Sequence, residues 1–165
     1  MPDLRRMPTW GWIMLSFMVI AFDQLTKWLI QQTMVFGESL PISPFFNLVL
    51  VYNPGAAFSF LSSASGWQRE LFIVIGLAAS GLIVYLMRRH ANDPVFCFAL
   101  SLILGGAVGN VVDRFRLGAV VDFLDVHVGG YHWPAFNLAD SAITCGAVLL
   151  IWDSLRKPRV QRSRT

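Results

Sequence analysis

The stretch LFIVIGLAASGLIVYLM, residues 71–87, decides the fold class, because it contains no charged side chain and ends directly before Arg88 and Arg89. An uncharged run of this length can cross the hydrocarbon core of a bilayer as an α-helix. Basic residues immediately after such a run are typical of the end of a membrane span. The stretch is therefore predicted to be a transmembrane helix.

Three other apolar stretches extend this pattern on either side. The four spans are expected at about 10–30, 70–87, 95–112 and 134–152. The first resembles a signal peptide, but it continues through Asp23 and Lys27 without a small-residue cleavage site, so we expect a retained helix. On the third, Gly105 and Gly109 form a small-xxx-small pair, which is expected to let a neighbouring helix approach closely. Residues 1–165 are thus expected to form a single integral membrane domain.

The composition supports this interpretation, because 55% of the 165 residues are hydrophobic and only 14% are charged. A soluble domain of this size carries more polar surface. The formal charge of +3 comes from basic residues at the ends of apolar segments, which indicates membrane orientation and not binding of nucleic acid. Cys97 and Cys145 lack the spacing of a zinc site or a disulfide framework, and both are expected to be small buried residues.

The distribution of Lys and Arg outside the spans predicts the orientation of the chain. Nine of these residues lie on the side of the two termini, and three lie on the other side, which are Arg69, Arg114 and Arg116. By the positive-inside rule, both termini are cytoplasmic. Residues from about 31 to 70 and from about 113 to 133 are then outside.

The two outer segments carry the remaining regular structure. Residues 45–52 are rich in β-branched and aromatic side chains and precede the turn sequence Asn53-Pro54-Gly55, so a strand or short hairpin is expected. Residues 56–61 are too few to span a bilayer and too apolar for open water, which predicts an interfacial helix, and residues 119–128 form a similar apolar stretch. The predicted fold class is an all-α membrane protein with four transmembrane helices, a small extracytoplasmic β-rich segment and an interfacial helix.

Most of the polar side chains in and between the spans fall near one membrane face. Charges within spans are costly, so each one calls for an explanation. With the topology above, the outer leaflet receives polar residues from three helices and from the loop between the third and the fourth: Asp23, Lys27, Asn110, Asp113, Arg114, Asp122, Asp125, Asn137 and Asp140. The sequence thus concentrates carboxylates near the outer membrane surface.

Some of these residues have simple structural interpretations. Asp23 and Lys27 have the i, i+4 spacing of an ordinary helix ion pair. Arg114 is expected to pair with a carboxylate or a backbone carbonyl, and Asp125 is most simply a solvated loop residue. Asp140 lies in the first turns of a helix, where the helix dipole partly stabilises a negative charge. A second carboxylate nearby would share a proton with it, so that one acid serves as a base and the other as an acid.

Five motifs in order along the four spans closely resemble those of bacterial lipoprotein signal peptidase, also called signal peptidase II. The resemblance runs from the first helix to the fourth, and no motif position departs from the family pattern. The motifs are Asp23-x-x-x-Lys27, Asn53-Pro54-Gly55-Ala56-Ala57-Phe58, Gly109-Asn110-Val111-Val112-Asp113-Arg114, Val120-Val121-Asp122-Phe123 and Phe136-Asn137-Leu138-Ala139-Asp140.

This resemblance implies an aspartic endopeptidase in which Asp122 and Asp140 are the catalytic pair. The residues expected to line or support the site are Asn53, Asn110, Arg114, Asn137, Asp23, Lys27 and Gly55. The implied substrate is a prolipoprotein whose signal peptide is cut just before a diacylglyceryl-modified cysteine. The interfacial outer segment is expected to fold over the site as a lid.

The resemblance also sets the expected partners and location. Membrane lipids and lipid-modified prolipoproteins are the expected partners, and cyclic peptides of the globomycin type are the implied inhibitors. No cofactor, metal or nucleic acid is expected, and the protein is expected to act as a monomer. The implied location is the bacterial cytoplasmic (inner) membrane, with the active site near the outer leaflet.

Three other kinds of mechanism fit the residues less well. His127 and His132 lie in the same loop as the acids, but a spacing of five does not place both on one helical face, as a zinc motif requires. Ser59, Ser62 and Ser63 have no motif of a serine hydrolase around them. A proton-coupled transporter should carry acids near the midplane and in both halves of its path, and here the cytoplasmic halves of the spans are almost free of charge.

The orientation generates a prediction for reporter fusions. A reporter fused after Arg89 should read as cytoplasmic, and one placed near Gly129 should read as external, because nine basic residues oppose three. Paired phosphatase and fluorescent-protein fusions measure this directly. The reverse pattern at both positions would overturn the topology.

Overall fold

The computed structural model of the protein describes residues 8–55 and 66–156. Within these ranges the chain forms four long helices and four strands. In chain order they are α1 (Thr9–Thr33), β1 (Ser39–Ser43), β2 (Phe46–Asn53), α2 (Trp67–Arg89), α3 (Pro94–Leu117), β3 (Val120–Val128), β4 (Tyr131–His132) and α4 (Leu138–Arg156). This confirms the predicted fold class of four apolar helices with a small β-sheet.

All four helices of the described ranges are long and apolar enough to cross a membrane. Large apolar side chains point outward from them, and Phe17, Val74 and Ile151 are each more than half exposed. Such a surface suits lipid and not water. The helices agree with the predicted spans to within three residues, except at three ends. α3 continues to Leu117, five residues beyond the predicted end, and α4 is shifted by four residues at both ends, to Leu138–Arg156.

α3 is the central helix of the bundle. In its most apolar window 56% of the residues are buried, against 17%, 17% and 11% in α1, α2 and α4. Asp93 caps its start by accepting the backbone N–H of Phe96 at 3.3 Å. Its end is set by Gly118, whose φ of 77° is a left-handed conformation that glycine adopts without strain. The greater burial of α3 reflects its central position, because α1, α2 and α4 all pack on it.

The two cysteines lie in different environments. Cys97 is fully buried on α3, in a core with Met87 and Leu100, as predicted. Cys145 is exposed, so the prediction that it is buried was wrong. The reason is that its face of α4 lines a cavity instead of packing on another helix.

Glycines on α3 allow α1 to approach closely, as the small-xxx-small pair predicted. A Cβ atom at Gly105 would lie 2.6 Å from Cβ of Val19 and 2.8 Å from the backbone oxygen of Ser16. A Cβ atom at Gly109 would lie 2.6 Å from Oδ2 of Asp23. All three distances are shorter than van der Waals contact, so the packing of these two helices requires glycine at both positions.

The four strands form one antiparallel sheet in the order β1-β2-β3-β4. The strand expected at 45–52 is confirmed as β2. The apolar stretch at 119–128 was expected to resemble the interfacial segment, and this was wrong, because it forms β3 and pairs with β2. A bulge between Leu48 and Val51 shifts the register, so that Val51 lies opposite Asp122 and Asn53 lies opposite Val120. Long-range pairing of this kind leaves no local sequence signal.

Just before α4 begins, residue 136 lies alongside β3. The backbone oxygen of Phe136 accepts N–H groups of Phe123 and Leu124, and the N–H of Phe136 donates to Leu124. Because these bonds fix residue 136 beside β3, the first turn of α4 starts next to Asp122.

Some predictions fall on residues that the structure does not describe. These are the interfacial helix at 56–61 with its proposed lid function, the three serines at 59, 62 and 63, and the basic tail after Arg156.

The close contact at Gly105 generates a stability prediction. Gly105→Ala should lower the free energy of unfolding by about 1–3 kcal/mol, because its Cβ would overlap Val19 and the α1 backbone. Gly81→Ala is a matched control on α2, where a Cβ would meet nothing within 4 Å. It should leave the protein unchanged or more stable by up to about 1 kcal/mol. Thermal unfolding in one detergent compares the two, and equal effects would contradict the packing argument.

Candidate active site

A cavity of about 870 Å³ lies between the sheet and the helices. Its wall is formed by the end of β2, the last turns of α3, the start of β3, residues 133–136 and the first turns of α4. The polar residues that line it include Asn53, Asn110, Arg114, Asp122 and Asp140. The fold thus gathers around one cavity side chains that lie far apart in the sequence.

Asp122 lies on β3 with only 2% of its surface exposed. Nδ2 of Asn137 donates to its Oδ1 at 2.7 Å, and Nδ2 of Asn53 donates to its Oδ2 at 3.1 Å. Burial, and after it the charge of Asp140, raise the pKa of Asp122 to about 7, although the two amide hydrogen bonds and the charge of Lys27 lower it. Asp122 can therefore hold a proton near neutral pH.

Asp140 lies in the first turn of α4 and is only partly buried. Nδ2 of Asn110 donates to its Oδ1 at 2.8 Å. The N-terminal end of α4 also favours a negative charge at this position. Asp140 is therefore more open to the cavity than Asp122 is.

The fully buried side chain of Asn137 connects the two aspartates. Its Oδ1 accepts the backbone N–H of Asp140 at 2.9 Å and so caps α4. Its Nδ2 donates to Asp122 and also, at 3.2 Å, to the backbone oxygen of Val121. One planar amide group therefore holds the start of α4 against β3.

Arg114 joins α3 to the turn after β2. Its Nη2 donates to the backbone oxygen of Gly55 at 2.8 Å, and its Nη1 donates to the backbone oxygen of Asn110 at 3.4 Å. The guanidinium lies 5.0 Å from the ring centroid of Phe72. The expectation that Arg114 pairs with a carboxylate or a carbonyl is met by these carbonyl groups. Oδ1 of Asn53 accepts the N–H of Gly55 at 3.0 Å, so the same turn also holds Asn53 in place.

Asp23 and Lys27 form the predicted ion pair at 2.9 Å, and both side chains are buried. Nζ of Lys27 also lies 2.7 Å from Oδ2 of Asp113, which was not among the predicted site residues. The sequence does contain a signal for Asp113, because it lies three residues after Asn110 and four residues after Gly109. This spacing places it on the face of α3 that meets α1.

Asp125 is not the solvated loop residue that was expected. It lies on β3 with 6% of its surface exposed, and Nδ2 of Asn47 donates to it at 2.7 Å. Nδ1 of His132, whose ring stacks on that of His127, lies 2.9 Å from both of its oxygens. Burial raises the pKa of Asp125, but the hydrogen bonds from His132 and Asn47 outweigh it and the pKa is lowered. Three residues separate Asp125 from Asp122, so they lie on opposite faces of the strand.

Sequence comparison relates this chain to known proteins along most of its length. The profile of the family described as signal peptidase (SPase) II matches residues 15–156. A lipoprotein signal peptidase of Paraburkholderia phymatum is 59% identical over 151 residues, which cover 92% of this chain and 91% of that protein. One from Janthinobacterium sp. (strain Marseille) is 57% identical over 146 residues and covers 88% of each chain.

Structure comparison agrees with this result. A bacterial membrane enzyme solved by the in meso method at 2.3 Å resolution superposes with a TM-score of 0.81 and 34% identity, over 94% of this chain and 93% of that one. A second bacterial membrane enzyme, solved at 1.9 Å resolution, gives a TM-score of 0.78 and 36% identity, over 90% and 94% of the two chains. The chain belongs to the signal peptidase II family, the membrane enzymes that remove signal peptides from prolipoproteins.

Proposed function

We propose that this enzyme is an aspartyl endopeptidase that uses Asp122 and Asp140 as its catalytic pair. The observation that carries the proposal is that two carboxylates from different elements line one cavity, where burial and the charge of Asp140 raise the pKa of Asp122 to about 7. When two nearby carboxyl groups lie in such different environments, one can act as the acid and the other as the base. Asn53, Asn110 and Asn137 support the pair by holding its oxygens in place.

The settings of the two acids suggest which one holds the proton. Asp122 is almost fully buried and starts the reaction protonated, so the partly exposed Asp140 acts as the base. Asp140 takes a proton from a water molecule, whose oxygen then bonds to the carbonyl carbon of the scissile peptide. Asp122 donates a hydrogen bond to the carbonyl oxygen as negative charge develops on it. When the C–N bond breaks, the proton held by the pair passes to the leaving amine.

The shape of the cavity suits a substrate that is partly in the membrane. Its polar wall carries the two aspartates, and its wall on α4 continues through Ile143, Thr144 and Cys145. We infer that the polar part holds the scissile peptide and that the α4 side receives apolar parts of a signal peptide or of a diacylglyceryl-modified cysteine. Cyclic peptides of the globomycin type would compete for the same space.

The proposed location is the bacterial cytoplasmic membrane, with both termini in the cytoplasm and the cavity near the outer leaflet. The excess of basic residues on the side of the termini supports this orientation. A prolipoprotein anchored by its own signal helix and acyl chains would then present its cleavage site at the depth of Asp122 and Asp140. Nothing in this scheme requires a second subunit or a cofactor.

Substitution of each acid tests the catalytic pair. Asp122→Asn and Asp140→Asn should each lower kcat by about a hundredfold to ten-thousandfold, because asparagine keeps the size of aspartate but cannot take up or release the proton. The double variant should be hardly worse than either single one, since the two acids act as one unit. Cleavage of a synthetic lipopeptide by purified enzyme in detergent measures this.

Asp125→Asn is the matched control for these substitutions. It is also buried on β3, but it faces away from Asp122, so activity should stay within about twofold of the wild type. Chelators should have no effect in the same assay. Substantial turnover by purified Asp140→Asn, or loss on chelation that zinc restores, would contradict the aspartyl mechanism and direct attention to His127 and His132.

The raised pKa of Asp122 generates a pH prediction. Because the reaction needs Asp122 protonated and its pKa is about 7, kcat/KM should fall as the pH rises through about 7 and beyond. At lower pH the activity should recover as Asp122 becomes protonated. A pH–rate profile between about 5 and 9, with enzyme stability checked at each pH, measures this limb. A rate that stays level up to pH 9 would assign the proton to a different group.

A further inference from the structure

Lys27 is a buried cation that contacts two carboxylates and one amide at the end of the helices nearest the cavity. Its Nζ lies 2.9 Å from Oδ2 of Asp23 and 2.7 Å from Oδ2 of Asp113. It also donates to Oδ1 of Asn110 at 3.0 Å. All three donor positions of the ammonium group are therefore matched by acceptors, with 2% or less of each charged side chain exposed.

The two carboxylates also bind backbone groups outside their own helices. Oδ1 of Asp23 accepts the N–H of Ala139 at 2.9 Å, and Oδ2 of Asp113 accepts the N–H of Val121 at 3.2 Å. Ala139 directly precedes Asp140, and Val121 directly precedes Asp122. The same lysine is thus linked, through one carboxylate each, to the backbone beside both acids of the proposed pair.

We propose that Lys27, Asp23 and Asp113 form one brace that fixes the separation of Asp122 and Asp140, and that Asp113 is a positioning residue of the enzyme. This inference rests on the catalytic pair proposed above. The brace acts through the backbone, because β3 and the start of α4 are each held by a carboxylate that the common ammonium group draws inward. None of its three members needs to touch the substrate.

Asn110 connects the brace to Asp140 by a second route. Its Oδ1 accepts from Lys27, so its Nδ2 is directed the other way and donates to Oδ1 of Asp140 at 2.8 Å. An asparagine amide has one acceptor end and one donor end. Lys27 therefore sets the orientation in which Asn110 can hold Asp140.

Cohesion of the helices alone does not account for this arrangement. Burying charges is costly, and apolar residues of similar volume often stabilise a fold equally well or better. The close contacts at Gly105 already hold α1 against α3 without any charge. A cluster that served only stability would affect the amount of folded enzyme, whereas a brace must affect the turnover of each folded molecule.

Asp113→Asn is the first test. Asparagine holds an ammonium ion less strongly, and its amide would meet Nε2 of Gln24, which donates to Oδ1 of Asp113 at 2.8 Å. We expect kcat per folded enzyme to fall by about tenfold to a hundredfold with KM unchanged, because misplaced reacting groups lose rate and not affinity. Asp93→Asn, at the other end of the same helix, is the matched control and should keep the wild-type kcat.

The pH profile separates positioning from folding. The charged groups that act on Asp122 are Asp140 from α4, Lys27 from α1 and Arg114 from α3. If the brace loosens, Asp122 feels the charge of Asp140 less, and the basic limb of the profile should move to lower pH in Asp113→Asn. A loss of folded enzyme would lower the amplitude and leave the profile in place.

A single substitution in the brace can leave a buried charge without its partner. A variant in which all three brace residues are neutral is therefore also tested. In the triple variant Asp23→Asn/Lys27→Met/Asp113→Asn no uncompensated charge remains, so it should fold with a thermal midpoint close to that of the wild type and still show the loss of kcat.

The outcomes distinguish the brace from the catalytic pair. The brace would be overturned, and the pair left intact, if folded Asp113→Asn and the triple variant both kept the wild-type kcat and pH profile while Asp122→Asn was inactive. Retained turnover in Asp122→Asn and Asp140→Asn would instead remove the pair itself.

Discussion

A charge buried among apolar helices must find a partner of opposite sign or several hydrogen bonds, and this constraint governs the architecture around the cavity. Asp23, Lys27 and Asp113 lie at the junction of α1 and α3, and they meet the constraint with one another and with two backbone N–H groups. Those backbone groups belong to β3 and α4, which carry the acids of the cavity. The requirement to satisfy buried charge therefore also connects the helices to the sheet.

The strand β3 carries two aspartates whose pKa values are shifted in opposite directions. Asp122 and Asp125 are both buried, yet the pKa of the first is raised and that of the second is lowered. Asp122 has another carboxylate beside it, and the hydrogen bonds it receives come from neutral amides. Asp125 has His132 beside it. The alternation of side chains along a strand separates these settings by only three residues.

The helices could be predicted from the sequence because hydropathy is a local property. The close approach of a neighbouring helix to α3 could also be predicted, since glycines four residues apart lie on one face, but the structure was needed to identify that helix as α1. The residues of the cavity were recognised from motifs, not from geometry. β3 and the buried position of Asp125 were missed because strand pairing depends on contacts between residues far apart in the sequence, such as Asn47 and Asp125, which are 78 positions apart. The spacing of Asp113 from Gly109 does place it on the face of α3 that meets α1, but its contact with β3 leaves no pattern in the sequence of α3, and it was not selected.

Gly109 illustrates how the effect of a mutation depends on what occupies the adjacent space. The room left by its missing side chain holds a carboxylate oxygen of Asp23, 2.6 Å from where a Cβ would stand. An alanine here is normally the mildest change a helix can receive, and a hydropathy scale would class such a variant as silent. In this protein the added methyl group would instead displace an ion from its counter-ion. A Gly109→Ala variant should therefore be interpreted as a change in electrostatics, although neither glycine nor alanine carries a charge.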